Sequence, residues 1–591
     1  MQSAEVVLGV LRERGRQGLP CEQLYRQMFN KDLYLLAYGN IYSNSGAMTP
    51  GASEETADGM SEEKIEEIIA AMRGERYRFA PVRRVYIPKK NGKLRPLGLP
   101  SWSDKIVGEV VRLLLEAYYE PQFSDHSHGF RKGRGCHTAL RKVQETWTGT
   151  VWFIEGDISD CFGSTSHEIL MTILAEKTRD NRFLRLIRNM LKAGYMEDWQ
   201  YHETLSGTPQ GGVLSPLLSN IYLHKLDEFI ERELIPQYTR GTRRKVNREY
   251  LRLAKRRQAA RRRGDRASAR ELAQQMRNLP YGDPMDPGYR RLKYLRYADD
   301  HVLGFIGPKA EAEQIKAALA AFLRETLALE LNQPKTLITH ARTRAARFPG
   351  YEITVQHGNT KLTGGIRSAN GRIALRVPPD VIKAKCAPYR RRGKPWHRPG
   401  LQNLPDYDIV RIYGAEYRGI VNYYRLAQDI RRLSALRWNA ETSMLKTLAA
   451  KHDSSVSKTA ARYKAKVLTG NGPRICFEAR KHREGRPDLV ARFGGIPLTR
   501  DRRAVIRDPA PVPATVPRKE LISRLRRRQC ELCGHGTTVA VHQVAGPASL
   551  GKPGPGQPAW AVLMARMRRK TLVVCAACHE YIHATPVAHA A

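Results

Sequence analysis

The stretch Tyr294-Leu295-Arg296-Tyr297-Ala298-Asp299-Asp300-His301-Val302-Leu303-Gly304-Phe305 reads as strand, turn and strand, within a longer reading of Leu292–Phe305. Its tip carries two adjacent aspartates between apolar flanks. Neighbouring carboxylates repel each other and resist burial, and a bound divalent cation resolves that conflict. A third carboxylate, Asp157, follows the apolar strand Val151-Trp152-Phe153-Ile154 and the pair Glu155-Gly156. Carboxylates at two strand ends suit Mg²⁺, which takes oxygen ligands and substrate phosphates. Two such ions about 3.5–4 Å apart can activate a hydroxyl nucleophile and stabilise a leaving pyrophosphate. An Asp-Asp pair by itself is more often only a turn signal, so the rest of the chain must decide.

Composition narrows the choice. The chain has 591 residues, with 100 Lys+Arg against 58 Asp+Glu, a formal charge of +42. The length calls for several domains, and a hydrophobic fraction of 41% is enough to build their cores. A pI near 10.1 points to a large polyanionic partner, nucleic acid above all, rather than a small acidic metabolite. There is no apolar run of about 18 residues, so no membrane span is expected, and Met1 to Arg16 has no secretory apolar core. Five cysteines are scattered singly, and four fall in two C-x-x-C pairs. That pattern suits a metal site in a reducing compartment, not a disulfide framework.

Periodicity and turn residues give a coarse map. Residues 1–75 read as helical and polar, with a loop at about Ser43–Gly59. Arg83–Pro88 reads as a strand ending in the turn Lys89-Lys90-Asn91-Gly92-Lys93, and Asp104–Glu120 as a helix. Leu214–Leu226 is expected to be a buried helix, residues 311–327 an amphipathic one, and Tyr413–Lys451 helical. Pro509 to Pro517 reads as a linker. Between Arg240 and Arg270, fourteen Lys/Arg face only Glu249 and Asp265. Such a helix repels itself unless phosphates neutralise it.

The motifs together resemble the reverse transcriptases encoded by group II introns, the intron maturases, over nearly the whole chain. Tyr297-Ala298-Asp299-Asp300 matches the catalytic tetrapeptide. Asp157, with Ile158 and then Phe162, matches the other catalytic acid and the aromatic that crowds a ribose 2′-hydroxyl. Gly207-Thr208-Pro209-Gln210-Gly211-Gly212 with Ser215-Pro216 matches the nucleotide pocket. Lys93-Leu94-Arg95-Pro96-Leu97-Gly98, Ser127-His128-Gly129-Phe130-Arg131 and Asn332-Gln333-Pro334-Lys335-Thr336 match further blocks in the family's order. The resemblance implies Asp157, Asp299 and Asp300 as catalytic residues holding two Mg²⁺ ions. It implies Lys93, Arg95, Ile158, Phe162, Gln210 and Lys335 at the incoming deoxynucleotide. Cations beside a Gly turn can reach a triphosphate, and Lys335 could neutralise or protonate leaving pyrophosphate.

Tyr413-Gly414, Tyr417-Arg418-Gly419 and Asn422-Tyr423-Tyr424 resemble the thumb segment called domain X, which implies contact with intron RNA. Aromatics with interleaved Arg can stack on bases and pair with phosphates. Packing suits Tyr417 and Tyr423, and RNA contact suits Arg418, Arg431 and Arg432. Lys458–Lys466 extends the basic face. The stretch around Arg480–Arg486 has no apolar periodicity, and the family resemblance implies a DNA-contacting linker there.

Cys530-Glu531-Leu532-Cys533 and Cys575-Ala576-Ala577-Cys578 make a four-thiolate Zn²⁺ site, the kind of staple a small module needs. With His542, His579 and His583 the module resembles an HNH endonuclease. That implies His542 and His579 as catalytic, His583 as a further candidate metal ligand and a Mg²⁺ at that centre. One departure stands out. Where the family shows two adjacent histidines, the segment is Val541-His542-Gln543-Val544, and glutamine cannot act as a base near neutral pH. A nuclease and a non-cleaving zinc-stabilised DNA grip therefore both remain open. Gly163 is a smaller departure, since the family commonly has an acid there. Gly108, inside a helix, has no explanation in the sequence.

The expected fold class is α+β multidomain: a right-hand polymerase (fingers and palm), a helical thumb/maturase domain and a small zinc-stapled HNH (ββα-metal) module. The expected boundaries are 1–80 for an N-terminal extension, 81–355 for fingers and palm, 356–470 for the thumb, 471–528 for a DNA-binding region and linker, and 529–591 for the terminal module. The partners implied are the parent intron RNA, target DNA and deoxynucleotides, with no membrane, in a bacterial cytoplasm at the nucleoid. A maturase that binds RNA but has lost polymerisation is the alternative.

Overall fold

The structure is a computed structural model; it describes residues 2–44, 46–88, 92, 94–197, 200–204, 206–207, 212–284, 286–359, 361–363, 366–470, 472–483, 487–506, 516–550 and 556–587. The turn at Lys89–Lys93 (except Gly92), the segment Thr208–Gly211 and most of the linker expected at Pro509–Pro517 lie outside them.

The centre is a four-stranded antiparallel sheet in the spatial order Arg291–Tyr297, Asp300–Ile306, Trp152–Gly156, Ile338–His340. Its register sets Tyr297 opposite Asp300 and Gly156 opposite His301. The apolar residues of its strands supply the core, with Phe153, Ile154, Leu295, Val302, Leu303 and Phe305 all buried, although Arg291, Lys293 and Arg296 interrupt the first strand. The helices Trp102–Tyr119, Ser215–Phe229 and Lys309–Leu327 pack around it and share its core. Ser101 caps the first of these helices. Its hydroxyl accepts from Asp104 N at 3.3 Å and donates to the Asp104 carboxylate at 2.7 Å. Gly108 is buried within that helix and in ordinary contact with Val213, which gives no reason for a glycine there.

A second four-stranded sheet joins the hairpin Val82–Pro88/Leu94–Leu99 to Tyr195–Glu197 and Gln200–His202. Further along, Ala346–Phe348, Tyr351–Val355 and Ile373–Arg376 form a small sheet. It packs with the helices Asp406–Tyr423 and Ser434–Lys451 in a separate core. The single helical run expected over Tyr413–Lys451 is thus two helices, divided by a turn through Ile430–Leu433.

Three sequence expectations need correction. The basic stretch is not one helix but two, Arg248–Arg262 and Arg266–Asn278, folded against each other through Ala260, Ala269 and Leu272. Gly264, at φ +76, makes the turn. The region around 480 is no linker. Lys464–Thr469, Gly472–Lys481 and Leu489–Gly494 form one antiparallel sheet, which lies on Asp406–Tyr423 so closely that a Cβ on Gly414 would stand 2.3 Å from Arg492 O. The boundary expected at 470 therefore cuts a sheet, although residues 484–486 lie outside the described set. Finally, the N-terminal segment and the terminal module are not separate. Met60–Ser61 adds a strand to Ala540–Gln543 and Thr571–Val574, and Leu521, Leu525, Val539, Val541 and Val573 join the N-terminal core.

Candidate active site and metal centres

The register brings Asp157, Asp299 and Asp300 to one end of the central sheet. Asp157 follows the strand Trp152–Gly156, which pairs with the strand that begins at Asp300. Its carboxylate accepts from Asn332 Nδ2 at 2.9 Å and Lys335 Nζ at 2.8 Å. Ile158 is buried and bridges Leu331, fixing the chain that carries Asp157. Burial, then Asp157, raises the pKa of Asp299, with Arg95 among the groups opposing. The pKa of Asp300 is pushed up to about 7 by burial first, then by Asp299 and Asp157, against Lys335. The Asp300 side chain is nevertheless open to the cleft, so solvent tempers this shift while leaving its direction. Three carboxylates that cannot all ionise comfortably are what a cation-binding oxygen cluster looks like before the ion arrives.

The hairpin tip is held from below. Ala298 sits at φ +57, a region an alanine occupies only when its surroundings enforce it. Arg296 Nη1 donates to Ala298 O at 2.9 Å and to Asn220 Oδ1 at 3.1 Å, while Nε and Nη2 reach Asp227 at 2.8 and 2.6 Å. Both partners of that ion pair are fully buried, and Tyr294 donates to the same carboxylate at 2.7 Å. From the side, Gly129 backs onto the tip: a Cβ there would lie 2.3 Å from Ala298 N and 2.8 Å from Ala298 Cα. Gly129→Ala should therefore move the aspartates. We expect primer extension to fall about 100-fold or more, as a displacement of about 1 Å commonly costs, together with a lowered thermal midpoint, since overpacking against backbone costs about 1–3 kcal/mol; near-wild-type extension would contradict the assigned role. Gly156 leaves room for the buried His301 ring, whose pKa burial lowers to about 4, so it packs as a neutral group.

The remaining expected positions divide. Phe162 lies on the short helix Cys161–Ser164, half-buried, with its ring 6.4 Å from that of Phe130. Gly163 has a local reason: the Asp160 carboxylate occupies the space a Cβ would take, at 2.1 Å. Gly207, at φ +89, presses on the Phe162 and Gly163 carbonyls. Arg95 is exposed and faces Asp299, whereas Lys93 and Gln210 lie outside the described residues. Lys335 is paired with Asp157 rather than free. In the helical region Tyr417 is buried against Phe493 and Tyr423 donates to Pro349 O at 2.8 Å, while Arg418, Arg431 and Arg432 are exposed.

In the terminal module Cys530, Cys533, Cys575 and Cys578 offer four sulfurs within 4.8 Å of one another, with Cys533 Sγ and Cys575 Sγ 3.8 Å apart. Tetrahedral thiolates at about 2.3 Å from Zn²⁺ would stand roughly that far from each other. A second cluster joins His542, His579 and His583 to Asp58. Sequence reasoning missed Asp58, Gly129, Asp227 and Arg296. Gly129 and Arg296 lay inside quoted stretches, but nothing local marked Asp58 or Asp227.

Three carboxylates gathered at one end of an antiparallel sheet, with a basic helical region and a four-cysteine module downstream, suit a template-copying polymerase of the reverse-transcriptase class. The comparisons with known proteins agree. Residues 87–353 match the reverse transcriptase (RNA-dependent DNA polymerase) family, 381–496 the type II intron maturase family, and 530–579 the AI2M/AI1M-like HNH endonuclease family. The group II intron-encoded protein LtrA of Lactococcus lactis subsp. cremoris is 39% identical over 583 residues, covering 95% of both chains. An uncharacterized 91 kDa protein in the cob intron of Schizosaccharomyces pombe is 34% identical over 95% of this chain and 70% of its own. A putative COX1/OXI3 intron 1 protein of Saccharomyces cerevisiae is 34% identical over 76% and 57%. The chain belongs to the group II intron-encoded reverse transcriptase/maturases and carries an HNH-like domain. Among the described residues no helix is long and apolar enough to cross a membrane.

Proposed function

We propose that the chain copies its parent group II intron RNA into DNA at a nicked target, after helping that RNA to splice. The observation that carries this reading is the convergence of Asp157, Asp299 and Asp300 beside Lys335. In this reading the central sheet is the palm, the Val82–Leu99 hairpin belongs to the fingers, and the helices from Asp406 to Lys451 are the thumb. The three carboxylates would hold Mg²⁺, which supplies charge neutralisation at the attacking 3′-hydroxyl and the leaving pyrophosphate. Their hard oxygen donors and mutual repulsion fit that ion. Arg95 and Lys93 would steady the triphosphate, and Lys335 would exchange Asp157 for the phosphates. Phe162 would crowd a ribose 2′-hydroxyl, with Ile158 and Gln210 around the base pair. Cys530, Cys533, Cys575 and Cys578 would hold Zn²⁺.

The basic helical pair 248–278 and the exposed arginines 418, 431 and 432 supply phosphate contacts, so intron binding should weaken steeply with salt. A bacterial cytoplasm at the nucleoid is where such a partner set meets. Intact carboxylates argue against a maturase that only splices. The deciding experiment is Mg²⁺-dependent extension of a primed RNA by the full chain, with the copurified RNA sequenced. Incorporation together with its own intron RNA supports the reading; RNA binding without incorporation leaves the splicing-only maturase.

Asp300 gives the reading a pH signature. Its folded pKa lies above its unfolded value, so its stabilising protonation is complete below about 4 and is lost as pH rises through about 7. Cation binding must displace that proton. The rise in thermal midpoint produced by Mg²⁺ should therefore grow between pH 6 and pH 8, and Asp300→Asn should abolish that growth. An increment independent of pH would contradict it.

A further inference from the structure

A cavity of about 580 Å³ opens at the end of the central sheet opposite the catalytic turn. Asp157 follows the strand Trp152–Gly156. At the start of that strand Trp152 pairs with His340, and the chain then turns through Arg342, Thr343 and Arg344. Val355 N donates to Ala341 O at 2.7 Å, which brings the small sheet 346–376 onto that turn. Arg342, Arg344, His357 and Arg376 line the cavity, and among the described residues no carboxylate does. Nor, among those residues, does any of the three guanidinium groups have an acidic partner. The acids nearby are engaged elsewhere: Glu352 with Arg347 at 3.7 Å, and Asp429 with Arg432 at 3.3 Å. Guanidinium stays protonated, so three around one hollow repel each other until an anion enters.

We propose that this cavity is a subsite for the backbone of intron RNA, with Arg342, Arg344 and Arg376 on phosphodiester groups and Gln356 and Gln428 on the adjoining nucleotide. The proposal rests on the reading of the chain as an intron-binding maturase and deepens it. Arginine forks match phosphate oxygens in pairs. The volume falls in the range of about 300–1,000 Å³ found for ligand-binding clefts. Gln356 Nε2 donates to Gln428 Oε1, which leaves an acceptor, Gln356 Oε1, and a donor, Gln428 Nε2, for a base edge or a ribose hydroxyl.

Continuity with the basic surfaces on either side favours RNA as the occupant. On one side stands the helix pair 248–278, at whose foot Val246 bridges Gly282. Burial lowers the pKa of Arg244 at that foot, and the charge of Arg342 close by lowers it further. Arg367 fixes the pair in place, donating from Nη1 to Arg277 O and from Nη2 to Leu279 O, both at 2.6 Å. On the other side is the thumb. Gln428 N donates to Leu375 O at 2.8 Å, and Arg432 Nη1 reaches Val377 O at 3.4 Å, one residue from Arg376. One RNA strand could thus run from the helix pair through the cavity to Arg431 and Arg432.

The test is equilibrium binding of the full chain to its parent intron RNA, transcribed in vitro, across a series of KCl concentrations. Arg376→Gln should raise Kd about tenfold and make the slope of log K against log[KCl] shallower by about 1, and Arg342→Gln combined with Arg344→Gln should do at least as much. Arg347→Gln is the control. It removes the same charge from the same sheet, but its guanidinium is committed to Glu352 and Asp380, so Kd and slope should keep their wild-type values. All four arginines are exposed, so thermal midpoints should not move. Intron RNA carrying 4-thiouridine should cross-link to peptides that contain His357 and Gln428. Equal losses in Arg347→Gln and Arg376→Gln, an unchanged slope in Arg376→Gln, or cross-links confined to other segments would overturn the subsite. So would affinity lost for target duplex but kept for intron RNA, which would make this a DNA contact. A wild-type chain with no salt-sensitive binding of intron RNA would instead refute the maturase reading, and the subsite with it.

Discussion

Asp299→Asn should lower primer extension on an RNA template by about a thousandfold or more while intron binding stays at the wild-type level. The change removes one charge and almost no volume. Asp299 is one of three acids in a cluster where burial and Asp157 already press against ionisation. Losing a metal-ligating carboxylate forfeits several kcal/mol of transition-state stabilisation, and about 4 kcal/mol corresponds to three decades in rate. In the proposed reading RNA affinity rests instead on basic side chains elsewhere, among them the exposed Arg418 and Arg431. Single-turnover extension and filter binding on the same preparation separate the two effects. Extension within tenfold of wild type would remove Asp299 from the catalytic set.

Asp227→Ala should be the most damaging single change to the polymerase body. It strips the partner from Arg296, which burial cannot readily neutralise because guanidinium stays protonated. Breaking a buried pair from one side costs about 3–5 kcal/mol, which corresponds to a fall of about 10 °C or more in the unfolding midpoint of that part of the chain. It also frees the guanidinium that donates to Ala298 O, so the aspartate turn should lose its geometry and the enzyme its extension activity. Replacing both partners with apolar side chains, Asp227→Leu with Arg296→Met, should recover much of the midpoint but not the extension. Thermal unfolding of the three proteins alongside extension assays tests both halves. A wild-type midpoint for Asp227→Ala would show that the pair is not sealed from water.

What the sequence made legible follows from how local each constraint is. The positions of the carboxylates could be read because they lie at strand ends, and strands write their apolar character into short runs such as Phe153-Ile154 and Val302-Leu303. The four cysteines could be read because two knuckles have fixed internal spacing. The features that were not legible arise from contacts between distant segments. Asp227 and Arg296 are 69 positions apart, and a charge inside an apolar strand looks like an exception until its partner is seen. Asp58 sits in a turn next to a two-residue strand, too short to carry a pattern. The sheet over Lys464–Gly494 was hidden because its outward faces are rich in Lys and Arg and its first strand alternates between exposed and only half-buried positions. The basic helix was divided by Gly264, a common residue whose left-handed φ is visible only in the fold.

The central claim is that Asp157, Asp299 and Asp300 together hold divalent cations where the growing DNA end meets its next nucleotide. The most direct measurement is an anomalous difference map from crystals of the full chain with primed RNA template, a non-extendable deoxynucleotide and Mn²⁺ in place of Mg²⁺. The account predicts two peaks about 3.5–4 Å apart, bounded by those three carboxylates and the triphosphate. A nucleotide bound in the cleft with no peak between the carboxylates would contradict it.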